Sequence, residues 1–578
     1  MPRNLFLSFP GTNNYVECNY HPEGKPEEKI ENVKYVQEAL IQLYCQDFGS
    51  EDALYFFLTA DSRSRNWEND GQFNKETKQY NLPNRGLAER LEGLRDKGLI
   101  RAAVNPVSIP EGFSTEQVWD IFQTVYDCLQ PGDRVILDIT HAFRSLPMLG
   151  MALIHYAKAL KQIEVAGIYY GAFEKLGPAP VVAKWPLEER NAPILNLQSF
   201  SELQDWTAAA HDFVQYGKPD KWNTLANKKI DPILKETQGG DEVARNIRDI
   251  NTYIQQLTPI LNTNRGAELL NFRFDRLNEI LNNFSADRSY IKPLNPIVEE
   301  VKQKVAPFFN AGPLSWMEGV NWCIQHELIQ QGITQLQEGL LTWLCQYFDE
   351  LQIAGDFFDW KKEPPRTLLS SALSFLPGPP HESEWGGPIG KHKEIGKRVL
   401  RFPLIKRLAT TYQDLGRIRN DINHGGYTRT TKASDFSEAL RQYAAEINKI
   451  ITLEAEVLGK EPSGLLNLSN HPASGWPDNQ KKLGRELYGS IDDLPFPQID
   501  PDWSHEKVEA LADDYFNRVL RRRPAAVHLM GEMTFTLALV QRLKAAGILC
   551  LASTTNRLVK EENGQKIVRF QFVRFRAY

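Results

Sequence analysis

A chain of 578 residues is too long for a single hydrophobic core, so we expect three or four domains. Its net charge of −6 argues against bulk electrostatic binding of nucleic acid, so any RNA contact must be local and no DNA partner is expected. The six cysteines show no C-x-x-C spacing, and we therefore predict neither a disulfide framework nor a metal site. The sequence has no leader and no apolar stretch of the ~18 residues of a membrane helix, which predicts a cytoplasmic protein.

Residues 1–190 alternate predicted strands with predicted helices. The strands are expected at 5–9, 53–59, 100–109, 134–138 and 163–170, and the helices at 29–45, 86–97, 114–129 and 143–160. Strict alternation of this kind predicts a doubly wound, mostly parallel sheet of the Rossmann-like type. Such sheets bind their ligands beyond the carboxyl ends of the strands.

Two loops at these predicted strand ends are rich in polar side chains. The first reads L-S-F-P-G-T-N-N-Y over residues 7–15, and it lacks the G-x-G-x-x-G pattern, so no dinucleotide cofactor is expected. The second reads D-I-T-H-A-F-R-S-L-P from Asp138 onward. Asp138 and Thr140 could simply cap the helix that follows, but His141 and Arg144 are harder to explain as caps.

Both loops, together with the sequence Y-Y-G-A-F at residues 169–173, resemble the CARF sensor domain of CRISPR-associated Csx-type proteins. In that family the sheet ends of two protomers form one pocket for a cyclic oligoadenylate, the second messenger of type III CRISPR systems. This chain has Pro10 and Ala142 where the family usually has leucine and glycine, and neither change removes a polar group. The resemblance favours cyclic tetra-adenylate over the hexamer as the activator. The ligand-binding residues that it implies are Ser8, Gly11, Thr12, Asn13, Thr140, His141 and Arg144.

Residues 191–311 are predicted to be a polar helical connector. Trp206, Phe213 and Tyr216 have the spacing of one buried helix face. No group of residues in this segment suggests chemistry, so we expect it to join two functional domains.

Residues 312–460 are predicted to form an all-α domain. A long helix is expected from Trp316 to Phe348, and a later helix is expected to end with the sequence R-N-D-I-N-H, from Arg419 to His424. The five-residue step from Arg419 to His424 places both side chains near one helix end. A guanidinium can hold phosphate oxygens while an imidazole transfers protons near neutral pH, so the pair suits metal-free cleavage of a phosphodiester.

The spacing of this pair is a weak signal by itself. Arg523 and His528 have the same separation, but Pro524 and the apolar residues after it indicate the entrance to a strand. His424 also precedes two glycines, and a capping or surface histidine ahead of a glycine helix cap is the alternative interpretation.

This domain resembles a HEPN ribonuclease domain, whose signature of arginine, a polar residue and a later histidine is matched by Arg419, Asn420 and His424. The resemblance implies a homodimer with both Arg-His pairs at one cleft. It also implies that the 2′-hydroxyl of single-stranded RNA attacks without a metal, leaving a 2′,3′-cyclic phosphate and a 5′-hydroxyl. His424 would transfer protons, Arg419 would stabilise the phosphorane charge and Asn420 would orient the pair. We expect His326 and Glu338 to face the core or a helix partner rather than the substrate.

Residues 461–503 are rich in Pro, Gly, Asn and Ser and are predicted to be a linker. Residues 504–578 are predicted to be a small α/β module whose parallel strands bring two polar loops side by side. The residues of this possible second nucleotide site are Glu532, Thr534, Ser553, Thr554 and Arg557. Our hypothesis is a second messenger-binding or ring-nuclease site, and the alternative is a docking module that stabilises the dimer.

Two interpretations of the whole chain follow from these patterns. The first is a ribonuclease of type III CRISPR antiviral defence that a cyclic oligoadenylate activates. The second is a CARF scaffold without catalysis, whose helical domain dimerises and signals to a partner protein. The presence of both Arg419 and His424 favours the first, because a scaffold has no use for that pair. A Rossmann oxidoreductase is excluded by the missing glycine pattern.

Overall fold

The computed structural model describes residues 2–70, 73–74, 77, 79–80, 85–140, 146–285, 293–375, 380–425, 427, 431–455, 462–562 and 565–578. The chain divides into two compact units, Met1–His211 with Phe284–Val298, and Asp212–Asn283 with Glu299–Tyr578. Among the described residues, no helix has the length and apolar character needed to span a membrane.

The first unit is built on one eight-stranded sheet. In spatial order its strands are Ile30–Val33, Cys18–Pro22, Asn191–Asn196, Glu164–Gly171, Arg134–Asp138, Asn4–Ser8, Ala53–Leu58 and Ala103–Ser108. The last five of these pair in parallel, as the sequence pattern predicts, and antiparallel pairs join the first two strands and the third to the fourth. Among the described residues, the α-helices of this unit that are longer than four residues are Val36–Tyr44, Leu87–Asp96, Thr115–Cys128, Leu146–Lys161 and most of Gln198–Tyr216. The doubly wound, Rossmann-like fold is confirmed.

The strand Asn4–Ser8 shows why this sheet has helices on both faces. Leu5, Phe6 and Leu7 are all fully buried, and successive side chains of a strand point to opposite faces. Phe6 belongs to a core shared with the helices Val36–Tyr44 and Leu87–Asp96, whereas Leu5 and Leu7 belong to a second core on the other face. Parallel strands buried on both faces end at one edge, where the polar loops begin.

Two predictions for this unit are wrong at the sheet margins. The helix expected at 29–45 begins at Val36, because Ile30–Val33 forms an edge strand. The domain does not end at residue 190, because the short apolar run Asn191–Asn196 adds a buried strand before the helix Gln198–Tyr216 starts. On that helix Tyr216 is exposed, contrary to the expected buried face.

The second unit is helical for most of its length. The connector contributes the helices Asp220–Leu225, Asp231–Glu236, Glu242–Asn262, Gly266–Leu270 and Phe274–Asn283, and the helix Leu294–Val305, which begins in the first unit. The helices of the all-α block follow. These are Ser315–Gln325, Ile329–Glu350, Glu363–Leu373, Gly387–Lys391, Lys393–Leu400, Pro403–Asn423 and Ala433–Ala455. They surround one large hydrophobic core, so the predicted all-α domain is confirmed as a fold.

The single helix expected from Trp316 to Phe348 is in fact two helices. Glu327 adopts a left-handed backbone conformation, with φ of 56°, and it reverses the chain between the two helices. The helices approach closely at Gly339, where an added Cβ would lie 2.2 Å from Cε3 of Trp316. A continuous apolar pattern hides this turn, because both helices bury the same kind of face.

The C-terminal segment forms a five-stranded sheet in the order Ile491–Asp493, Leu465–Ser469, Ala526–Met530, Leu549–Glu562 and Gln565–Ala577. Its helices are Asp478–Tyr488, His505–Arg522 and Met533–Ala545. The linker predicted at 461–503 is therefore wrong, since two of these strands and one helix lie within it. Five consecutive buried residues, Leu465–Ser469, make the second strand of this sheet, and the turn-forming residues around them obscure it in the sequence.

A buried ionic cluster joins the all-α block to the C-terminal sheet. Glu454 accepts hydrogen bonds from Arg407 at 2.9 Å and from the Tyr347 hydroxyl at 3.1 Å, and it lies 3.4 Å from Arg523. Arg523 also donates to the Tyr347 hydroxyl at 2.7 Å. Burial lowers the pKa of Arg407. The Glu454 carboxylate thus contacts two guanidinium groups that are largely shielded from solvent, where losing an anionic partner is costly.

We therefore expect Glu454→Ala to lower the free energy of unfolding by about 3–5 kcal/mol, because it removes a buried carboxylate that both Arg407 and Arg523 contact. Urea unfolding followed by circular dichroism measures this change. The control is Glu279→Ala, which removes an equally short but exposed ion pair with Arg276 and should cost less than about 1 kcal/mol. Equal small losses for both variants would contradict the role given to Glu454.

Candidate functional site

The carboxyl edge of the N-terminal sheet is organised around the buried carboxylate of Asp138. It accepts hydrogen bonds from the Ser8 hydroxyl at 2.7 Å, the Gln37 amide at 2.8 Å and the Thr140 backbone N–H at 2.9 Å. Ser8, Gln37 and Asp138 are all buried. Ser8 therefore links the ends of its own strand and of the Asp138 strand below the surface. The contribution of Gln37, which is 101 residues from Asp138 in sequence, could not be read from the loop motifs.

A pocket of about 350 Å³ opens above this network. Asn13 and Thr140, two of the predicted ligand-binding residues, line it together with Tyr15 and Gly171. The Thr140 hydroxyl accepts the Gly171 backbone N–H at 2.9 Å, which joins the loop to the neighbouring strand. Burial raises the pKa of Tyr15 well above its usual range, so its hydroxyl stays neutral. The pocket is thus lined by neutral polar groups and apolar side chains, together with one acidic residue, Glu174.

The first loop is held by a residue that the motif does not contain. The Asn66 amide donates to the backbone carbonyls of Gly11, at 2.8 Å, and Asn13, at 2.9 Å. This brings the segment with Thr12 into position at the sheet edge. The predicted residues His141 and Arg144 lie outside the described residues.

The second candidate site is a cleft of about 700 Å³ in the all-α block. Arg419 and Asn420 line it, as does Glu338 on the facing helix Ile329–Glu350. One carboxylate oxygen of Glu338 lies 3.3 Å from Arg419, and the other accepts a hydrogen bond from Arg366 at 2.7 Å. Glu338 thus bridges two guanidinium groups at the cleft wall.

The charged lining of this cleft favours an anionic ligand. Its cations are Lys361, Lys362, Arg366, Arg417 and Arg419, and its anions are Glu338 and Glu363. The side chain of Arg419 is 31% exposed, so its guanidinium can be reached from solvent. A local excess of positive charge in an acidic chain is what a phosphate-binding surface requires.

His424 lies at the end of the same helix but in a different environment. It caps Pro403–Asn423, its backbone N–H donates to the Asn420 carbonyl at 3.0 Å, and Gly425 follows with φ of 66°. Its side chain is exposed, and it is not among the described residues that line the cleft. Within one chain, then, Arg419 and Asn420 share the cleft and His424 stands beside it.

Two further expectations for this domain had different outcomes. His326 lies, as expected, against a helix partner: its ring packs 4.4 Å from that of Trp322 and its Nδ1 lies 3.1 Å from the Gln215 carbonyl oxygen. Burial lowers the pKa of His326 to about 4. Glu338 was expected to face the core or a helix partner rather than the substrate. It does contact Arg366 and Arg419 on neighbouring helices, but its side chain is 47% exposed and also lines the cleft.

The residues predicted to bind a second nucleotide in the C-terminal segment do not share one set of contacts. Glu532 caps the helix Met533–Ala545, accepting the N–H of Phe535 at 2.8 Å and the N–H and hydroxyl of Thr534 at 3.0 and 2.7 Å. These hydrogen bonds lower the pKa of Glu532. Thr554 donates to the Arg574 carbonyl at 3.0 Å. The second nucleotide site stays a prediction, and Ser553 has a different set of partners.

Ser553 belongs to a hydrogen-bonded chain with His528 and Asn467. Nδ1 of His528 lies 2.8 Å from Oδ1 of Asn467, and its Nε2 lies 2.8 Å from Oγ of Ser553. His528 is 3% exposed, and burial lowers its pKa to about 4, so the imidazole is neutral at pH 7. The sequence reading missed this group because it placed Asn467 in a linker.

A metal site is not evident at any of these places. Within the part of the chain that the structure describes, no three His, Cys, Asp or Glu side chains are grouped so that they could hold an ion. Cleavage without a metal therefore stays a prediction.

Comparison with known families assigns three segments. Residues 5–174 match the CARF domain of the CRISPR system endoribonuclease Csx1, residues 202–307 match the second domain of CRISPR-associated protein MJ1674, and residues 463–576 match the uncharacterized protein MJ1673 family. Residues 5–174 thus form a CARF domain similar to that of a CRISPR-associated protein.

Individual relatives are distant. CRISPR-associated protein MJ1674 of Methanocaldococcus jannaschii is 22% identical over 253 residues, which is 41% of this chain and 36% of that protein. The matched region thus spans about a third of the length of this relative. Among solved structures, Enterococcus italicus Csm6 bound to cyclic hexa-2'-fluoro-hexa-dAMP superposes with 8% identity and a TM-score of 0.35, covering 78% of this chain and 94% of that one. That score is too low to establish a common fold.

Proposed function

We propose that this chain is an endoribonuclease that a cyclic oligoadenylate activates in type III CRISPR defence, and that Arg419, Asn420 and His424 cleave single-stranded RNA. The observation that carries the proposal is the combination, in one chain, of a CARF domain with an all-α block whose basic cleft contains Arg419. A sensor for a messenger and a surface for a polyanion are then present together.

The sensor half of the proposal rests on the pocket at the N-terminal sheet edge. Asn13 offers an amide and Thr140 a hydroxyl, groups that can bond to adenine edges, ribose or phosphate oxygens. A volume of about 350 Å³ is at the small end for one ligand and does not hold a ring of four nucleotides. A site shared by two protomers removes this difficulty, which supports a homodimer with cyclic tetra-adenylate between its halves.

The effector half rests on the chemistry that the RNA itself supplies. The 2′-hydroxyl attacks the adjacent phosphorus, so the protein must remove one proton, donate another and stabilise charge on the phosphorane oxygens. Arg419 suits the charge stabilisation and His424 the proton transfers, with Asn420 orienting the pair. Because His424 stands beside the cleft within one chain, two copies of this helix end facing each other would complete the site.

The RNA backbone can follow the cations of the cleft. Lys361 and Lys362 lie at the start of the helix Glu363–Leu373, and Arg366 is one turn further along. Phosphates spaced along a single strand would contact these residues in turn, so binding should weaken steeply with salt. This local path explains how an acidic chain can still bind RNA.

The first test is cleavage of a fluorescent single-stranded RNA in EDTA, with and without cyclic tetra-adenylate. We expect cleavage by the wild type when the messenger is present, and a 10²–10⁴-fold slower rate for His424→Ala and for Arg419→Ala. The control is His505→Ala, which removes an exposed histidine of the C-terminal segment and should leave the rate unchanged. RNA that stays intact with every ring size would leave a scaffold that binds the messenger and does not cleave.

The second test concerns the sensor pocket. We expect Asn13→Ala to weaken the binding of cyclic tetra-adenylate about tenfold, which is the loss of one hydrogen bond to a charged or polar ligand, as measured by calorimetry. The matched control is Asn105→Ala on the edge strand Ala103–Ser108, where the amide donates to the Ala103 carbonyl. If both variants bind like the wild type, the messenger does not occupy this pocket.

The third test concerns Glu338, whose carboxylate engages two guanidinium groups that a phosphate would also use. We expect Glu338→Gln to raise the affinity for a cleavage-resistant 2′-O-methyl RNA about two- to fivefold, since a half-exposed ion pair contributes roughly 0.2–1 kcal/mol. Fluorescence anisotropy measures the affinity. Glu363→Gln is the control, because it makes the same change of charge in the cleft lining without touching Arg419. Equal gains for the two variants would show that the affinity for RNA depends on the net charge of the cleft and not on the ion pairs of Glu338 with Arg366 and Arg419.

A further inference from the structure

The hydrogen-bonded chain Asn467, His528 and Ser553 lies on one face of the C-terminal sheet. Asn467 is in register with His528, and His528 with Leu551, across three neighbouring parallel strands. Ser553 follows Leu551 by two residues and so points to the same face. The three polar side chains therefore form a row across the sheet near the carboxyl ends of its strands.

The contacts of Asn467 determine which atom of this row donates and which accepts each hydrogen bond. The amide nitrogen of Asn467 donates to Asp493 at 2.7 Å, and its oxygen accepts the Ser469 hydroxyl at 2.9 Å. The Asn467 oxygen therefore faces His528, whose Nδ1 must be the donor. Nε2 of the neutral imidazole is then an acceptor, and the hydroxyl proton of Ser553 points at it.

The imidazole is held firmly in this orientation. The ring of Trp476 stands edge-on to the imidazole, with ring centroids 4.9 Å apart. The ring of Phe575 has the same edge-on arrangement, with its centroid 5.6 Å from that of the imidazole. His528 is buried, whereas Ser553 is only half-buried and can be approached from solvent. A serine that gives its proton to a fixed, neutral imidazole is arranged as a nucleophile beside its base.

We propose that Ser553 is a catalytic nucleophile, that His528 is its general base, and that this second site hydrolyses carboxylic esters. The proposal goes beyond RNA cleavage and does not depend on it. It also assigns Ser553 to a task other than holding a nucleotide.

The contacts of Ser553 favour an uncharged substrate. Its Oγ accepts the Gln480 amide at 3.1 Å and its backbone N–H donates to the sulfur of Met530 at 3.2 Å, so these neighbours and His528 are all uncharged. A thioether is a weak acceptor on a flexible side chain, and Met530 is 38% exposed. A developing oxyanion can displace it and take the Ser553 N–H, which is the stabilisation that acyl transfer requires.

The reaction balances with water as the second reactant. As the Ser553 oxygen bonds to the ester carbon, its proton passes to Nε2 of His528. The oxyanion collapses, the alkoxide leaves and takes the proton from Nε2. Water then gives a proton to Nε2 while its oxygen attacks the acyl-serine, and the carboxylic acid leaves as Ser553 regains the proton.

The test is labelling of the full-length protein with a fluorophosphonate, which forms a bond from phosphorus to a nucleophilic serine and releases fluoride. Peptide mass spectrometry should find the label on Ser553, and His528→Gln should slow labelling 10²–10⁴-fold. Ser474 is the internal control, since it is more exposed than Ser553 and should stay unlabelled. Absence of label on Ser553, or equal labelling in His528→Gln, would overturn the proposal.

A second measurement distinguishes the loss of the nucleophile from misfolding of the variant. The wild type should hydrolyse p-nitrophenyl acetate and Ser553→Ala should not, whereas both should show the same messenger-dependent RNA cleavage. If RNA cleavage is absent in the wild type but labelling succeeds, the ester site stands without the ribonuclease. If instead Ser553→Ala prolongs the lifetime of cyclic tetra-adenylate and no serine is labelled, Ser553 serves the messenger and the ester proposal is wrong.

Discussion

Parallel pairing of buried strands is the constraint on which both sheets of this protein depend. Strands such as Asn4–Ser8 and Ala526–Met530 can be apolar almost throughout because helices or loops cover both of their faces, so polar side chains collect where the strands end. Parallel strands also bring all of these ends to one edge. The Asp138 network lies at the last residues of two such strands, whereas the row from Asn467 to Ser553 begins two residues before the strand ends of the second sheet.

Two glutamates in the all-α block show how burial decides what a carboxylate does. Glu454 is buried with Arg407 and Arg523, where removal of one partner leaves charge that water cannot reach, so its role is structural. Glu338 is half-exposed and bridges Arg366 and Arg419, where water screens the attraction and the pair can open at little cost. Glu454 thus stabilises the contact between the all-α block and the C-terminal segment, whereas Glu338 holds an ion pair that can open in the cleft of Arg419.

The sequence predicted most of the regular structure but less of the sites. Long periodic segments and the parallel order were predictable because apolar patterns repeat with the period of each element. The strand Leu465–Ser469 was missed because five residues between turn-formers carry too little pattern, and the turn at Glu327 was missed because it interrupts no apolar period. Contacts such as Gln37 with Asp138, or His528 with Asn467, join residues 101 and 61 positions apart, and no local motif encodes them.

The energies also indicate what could switch on the ribonuclease that we propose. An ion pair as exposed as that of Glu338 with Arg419 contributes about 1 kcal/mol at most, less than the roughly 2.8 kcal/mol that a hundredfold change in activity requires. Opening that pair alone is therefore too weak a switch. A larger effect is available from the distance between catalytic groups, because misplacing reacting groups by about 1 Å can cost a hundredfold in rate. His424 is not among the described residues that line the cleft with Arg419. Under the proposed function, a messenger that brought the helix ends of two protomers together would therefore change the distance to which the rate is most sensitive.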